Sequence, residues 1–149
     1  MKKQDSSIRP VLLLTAATAL LGAQFACDNP FWRPKAQQMH SAEGVLASEG
    51  TVRVSDGDNG NTKLSVRVKH LAPPSKVEAD STVYVVWIQP KEGDWQNVGA
   101  LTLSEDLEGS LDTLTPHRRF KVSVTPEPNG QAAAPSHAPV FTYDVESNK

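Results

Sequence analysis

Lys63-Leu64-Ser65-Val66-Arg67-Val68-Lys69 sets an apolar side chain at every second position, with Lys, Ser and Arg between. Period two is the mark of a strand that buries one face and wets the other. Upstream, Val52 and Val54 alternate with Thr51, Arg53 and Ser55, and the intervening run Asp56 to Asn61 (DGDNGN) supplies the Gly and Asn that tight hairpins need at positive φ. Downstream, Ala72-Pro73-Pro74 cannot continue a ladder. Thr82 to Ile88 (TVYVVWI) is apolar on both alternating faces and reads as a central strand, stopped by Pro90. Val98, Ala100, Leu101 and Leu103 follow a polar turn, Ser110 to Leu114 makes a short strand, and Phe120, Val122 and Val124 alternate with Arg119, Lys121, Ser123 and Thr125. Val140 to Val145 closes the series after a loop rich in Pro and Ala. Seven short strands with regular turn signals predict an all-β domain over 48–149, a seven-stranded antiparallel immunoglobulin-like sandwich.

The N-terminus has a different character. Lys2, Lys3 and Arg9 precede an apolar run from Val11 to about Gly22, which fits the core of a secretion signal and is short for a membrane span. Cys27, the chain's single cysteine, stands where that signal ends. A lone cysteine in an exported chain has no intramolecular disulfide partner. Residues 1–27 resemble a bacterial lipoprotein signal, in which such a cysteine receives lipid. Ala26 fits the position before it, whereas Gln24 and Phe25 depart from the pattern; an incidental thiol is the other reading. Residues 28–47 hold two prolines and no sustained periodicity, and are expected to be a flexible tether. Phe31 and Trp32 suit either the lipid interface or the domain surface.

The whole chain carries a formal charge of −2. Without residues 1–27, which hold Lys2, Lys3, Arg9 and Asp5, 12 basic and 16 acidic residues remain, a net of −4. That excludes the clustered cations that phosphate backbones require. A membrane attached through lipid, a protein of the cell envelope as partner and a monomeric state are the expectations.

No constellation of catalytic residues is visible. His40, His70, His117 and His137 lack metal-ligand spacing and read as solvated loop histidines, and no metal or cofactor is expected. Asp56, Asp58 and Asn61 hint at a calcium loop, but glycine falls at the wrong position, and a plain hairpin explains them better. Glu105, Asp106 and Glu108 read as a solvated turn. Trp87, on the central strand, suits the core better than a ligand groove. Trp95 lies in the polar loop Glu92–Gln96 and is the candidate anchor for partner binding, together with the long loop Pro126–Pro139; folding back over the sheet edge is its alternative.

Several segments act together. These are Leu71-Ala-Pro-Pro74 leading to Val83-Tyr-Val-Val-Trp-Ile-Gln-Pro90, then Asn97-Val-Gly-Ala-Leu101, Phe120-Lys-Val-Ser-Val-Thr-Pro-Glu-Pro-Asn-Gly130, Ala134-Pro135 and Pro139-Val140. In this order they resemble the C-terminal, extracytoplasmic domain of anti-sigma-K factors, from about Gly60 to Phe141. The resemblance implies an envelope-exposed regulatory module. It does not carry sigma-factor binding, because the family's cytoplasmic helical domain, often zinc-binding, has no counterpart in these segments. The expected function is that of a membrane-anchored envelope lipoprotein, not an enzyme, whose sandwich binds or senses a partner. The alternative is a structural or stress-related surface lipoprotein without a specific ligand.

Overall fold

The computed structural model describes residues 34–146 apart from Gly44 and Leu46. The signal, Cys27, Phe31 and Trp32 lie outside the described residues. The chain is nearly all β. Its strands are β1 (Gln37–Gln38), β2 (His40–Ser41), β3 (Glu49–Asp56), β4 (Thr62–Lys69), β5 (Val83–Pro90), β6 (Gln96–Leu101), β7 (Gly109–Thr115), β8 (Phe120–Glu127) and β9 (Phe141–Val145). The one α-helical turn, α1, is Pro74–Val77. One sheet runs β1-β3-β4-β7 and the other β2-β9-β8-β5-β6. Every pairing in both sheets is antiparallel.

The period-two residues turn inward as read. Val52, Leu64, Val66 and Val68 of the first sheet meet Tyr84, Val86, Ile88, Val122, Val124 and Phe141 of the second in one apolar cluster. Where β3 meets β9, a Cβ on Gly50 would lie 2.8 Å from the Phe141 ring, so only glycine fits. Tyr84 is fully buried and donates its hydroxyl to the Ala72 carbonyl at 2.8 Å, anchoring the proline turn. Burial pushes its phenol up to about 12. On the wet face of the first sheet, the Asp112 carboxyl takes hydrogen bonds from Arg67 and Ser65, which hold it below its usual value.

Two expectations about the N-terminal part need correction. The domain does not begin at residue 48, and the strands number nine among the described residues instead of seven. Residues 37–38 pair with Val52 and Thr51 of β3, and residues 40–41 pair with Thr142 and Phe141 of β9. Met39, between them, drops into the core, and its N–H donates to the Gly50 carbonyl at 2.8 Å. Each strand is only two residues long and the chain changes sheet at Met39, so no periodicity could build up. The 28–47 spacer is therefore shorter than its composition suggested.

The Asp56–Asn61 hairpin is closed from outside by Arg118. Its guanidinium lies 3.4 Å from Asp56 Oδ1 and donates to the Gly60 carbonyl at 3.2 Å. A cation is thus supplied by the chain itself. Asn59 adopts φ 56, the left-handed conformation for which Asn was singled out in this turn.

Candidate functional site

The pairing register defines two poles. Pro34 lines a groove of about 370 Å³ with Ser55, Asp56, Arg118 and Glu146. Pro90 pairs with Phe120 and Phe120 with Val145, so the β5–β6 loop that carries Trp95 belongs to the same pole. The opposite pole collects the β4–β5 connection, the start of β9 and the segment before β3. There Ala42 N–H donates to the Val140 carbonyl at 2.9 Å and Ser48 Oγ to the His70 carbonyl at 2.9 Å. A groove of about 510 Å³ opens between them, lined by Ala42, Val45, Ala72, Val77 and Pro139, with Lys76 and Glu78 also in its wall. Of the two loops expected to carry recognition, Glu92–Gln96 lies at the entering pole, whereas Pro126–Pro139 leaves β8 at the opposite pole but reaches back to Asn97, two residues from Trp95. Trp95 sits at the pole where the chain enters the domain and is half-buried, not freely displayed.

The long β8–β9 loop is strapped across the outer face of the second sheet. Asn97 Nδ2 donates to the Gly130 and Ala132 carbonyls, both at 3.0 Å, and Gly130 lies over Ala100. Beneath it sit Val85 and Trp87, fully buried yet outside the cluster between the sheets. Trp87 is therefore buried as expected, but against the strap instead of the opposite sheet. This accounts for the strand that is apolar on both faces: β5 has a core on each side.

Glu127 holds the strap. It has 0% exposure, at the end of β8, on the same face as Thr125 and Ser123. Its Oε1 accepts from Thr125 Oγ1 at 2.6 Å and from the Ser136 N–H at 3.0 Å, and its Oε2 accepts from the Ser136 hydroxyl. Trp87 Nε1 donates to Thr125 Oγ1 at 2.8 Å, extending the chain of bonds under the strap. Burial works to raise the Glu127 pKa, but the bonds from Ser136 and Thr125 and the nearby His137 outweigh it. The carboxyl is held below its usual range.

His137 was expected to be a solvated loop residue and is not. Its side chain is 18% exposed, with Nε2 3.2 Å from Asp80 Oδ1 and Nδ1 3.0 Å from the Pro126 carbonyl. Ser136 Oγ lies 3.1 Å from the same Nδ1. The trio Ser136, His137 and Asp80 has the residue types of a hydrolytic triad, but its roles run the other way. The Pro126 carbonyl can only accept, so Nδ1 carries a proton and cannot take one from serine. The Ser136 hydroxyl is spent on Glu127. The trio is a fastening. Its sequence signal was the polar Ser123-x-Thr125-x-Glu127 alternation on an otherwise apolar strand, with Ser136-His137 in the loop beyond.

Cys27 lies outside the described residues. Among the described residues no cluster of His, Cys, Asp or Glu is arranged to hold a metal ion, and no helix is long and apolar enough to cross a membrane. Compared with family models, curated proteins and solved structures, the chain finds no match in any of the three.

Proposed function

We propose that this chain is a membrane-anchored envelope lipoprotein, held by lipid on Cys27, whose immunoglobulin-like sandwich binds or senses an envelope partner without catalysis. The observation that carries the reading is the separation of the poles. The chain enters at one end, beside Arg118 and Glu146, while the Ala42–Pro139 groove opens at the other. Six residues, 28–33, separate Cys27 from Pro34. Fully extended, they and their flanking bonds reach about 25 Å. An anchor there keeps Pro34 within that reach of the bilayer and leaves the far groove free to face away from it. Trp95, on the entering pole, then faces the lipid side, and partner recognition shifts to the far groove.

The strand order supports the immunoglobulin-like assignment. With β3, β4 and β7 in one sheet and β9, β8, β5 and β6 in the other, the long strands follow an A-B-E and G-F-C-C′ arrangement. Trp87 sits on the strand equivalent to C. The same order, with the proline turn, the Tyr84–Trp87 strand and the Glu127-Pro128 strand end, suits the extracytoplasmic domain of an anti-sigma-K factor and hence a regulatory role. Intact-mass measurement of the mature protein tests the anchor. Wild type should carry acyl chains on Cys27 and partition into detergent, and Cys27→Ser should accumulate as unprocessed precursor. An unmodified Cys27 in mature wild-type protein overturns the assignment.

A further inference from the structure

We infer that the strap 128–139 is a pH-operated fastening, tightest when His137 is doubly protonated, and that it sets one wall of the far groove. The donor pattern carries the inference. Nδ1 faces the Pro126 carbonyl at 3.0 Å and needs a proton to bond it. Nε2 faces the Asp80 carboxylate at 3.2 Å and needs a proton there too. Only the imidazolium satisfies both. Either neutral tautomer turns one of these contacts into lone pair against lone pair.

The charged groups facing His137 are Asp80, from the β4–β5 connection, and Glu127, from β8. Residues 128–139 bring no other ionisable side chain. The fastening is therefore complete only while both ring nitrogens carry a proton, and loss of either proton weakens it. Glu127, held below the usual carboxylate range, stays ionised throughout, so the bonds from Ser136 and Thr125 persist. Deprotonation thus loosens the strap without detaching it.

The consequence falls on the groove, because Ala138, Pro139 and Val140 follow His137 directly and line it. Losing the Asp80 contact removes one tie between the strap and the β4–β5 connection, which contributes Val77 and Glu78 from the facing side. This consequence rests on the reading of the groove as the recognition site. The fastening itself does not, and it is tested without any partner.

Amide hydrogen exchange of the full chain in detergent, corrected for the intrinsic pH dependence of exchange, reads the strap directly. Opening of residues 129–138 should rise about fivefold from pH 5.5 to pH 8, modest because Asp80 is largely in water. The strands should show no such change. His137→Gln should flatten the profile. Asp80→Asn, at a side chain 64% exposed, leaves the fold intact and should flatten it in large part. A flat wild-type profile, or an Asp80→Asn profile as steep as wild type, overturns the fastening. Failure of Cys27 lipidation would leave this result untouched and would bear only on the anchor.

Discussion

Glu127→Gln keeps the shape of the buried hub and removes its charge, so it isolates what the charge does. In wild type three donors converge on the carboxylate: the Thr125 hydroxyl, the Ser136 N–H and the Ser136 hydroxyl. A glutamine oxygen in the Oε1 position keeps the first two, now as neutral bonds. Its NH2 then meets Ser136 Oγ, which already accepts from His137 and loses the acceptor for its own proton. Charge-assisted bonds exceed neutral ones by about 1 kcal/mol each, and part of that excess only offsets desolvation of the ion. We expect a loss of about 2 kcal/mol at pH 7, seen in urea unfolding as a midpoint lower by about 1 to 1.5 M. The pH dependence fixes the cause. Glu127 has a folded pKa below its unfolded one, so its contribution is complete above the unfolded value and is lost as pH falls through the folded value. The gap between wild type and Glu127→Gln should therefore close at acid pH. A variant as stable as wild type at pH 7, or a gap independent of pH, would refute the claim that hydrogen bonds outweigh burial at this carboxylate.

Two further outcomes follow from the packing. Trp87→Ala should remove about 3–5 kcal/mol, because a fully buried indole and its bond to Thr125 are lost. Its signature in hydrogen exchange should be strongest in residues 129–138, since the cavity opens under the strap and not between the sheets. A chain beginning at residue 48 should be less stable than one beginning at 34 by about 3 kcal/mol or more in urea unfolding, having lost the buried Met39 and Val45 and both short strands. Equal stability would mean that these strands decorate the sandwich without supporting it.

The long strands were legible because each rests on a pattern that one segment holds by itself. Leu64, Val66 and Val68 face inward wherever β4 lies, because alternation is a property of the pleat. The hairpin at Asp56–Asn61 was legible for a similar reason, since Asn59 and Gly60 accept positive φ locally. The short strands β1 and β2 were not, because two residues cannot display a period. Trp87 was legible as buried but not as to which side, since a strand apolar on both faces does not say what covers its outer face. Tertiary structure decided that by laying 128–139 across it. The fastening of Glu127, Ser136, His137 and Asp80 brings together residues from a strand, a loop and a distant connection, and a histidine that reads as solvated gains its role only when the fold sets it between Asp80 and the Pro126 carbonyl. The same holds for the two loops: Trp95 and the strap are far apart in the sequence, and only the fold ties Gly130 and Ala132 to Asn97, two residues from Trp95. Local alternation and turn chemistry determined that this chain is built of strands. Which loop covers the outer face of the sheet and which side chains fasten it depend on contacts between distant segments, whose energies no single stretch of sequence contains.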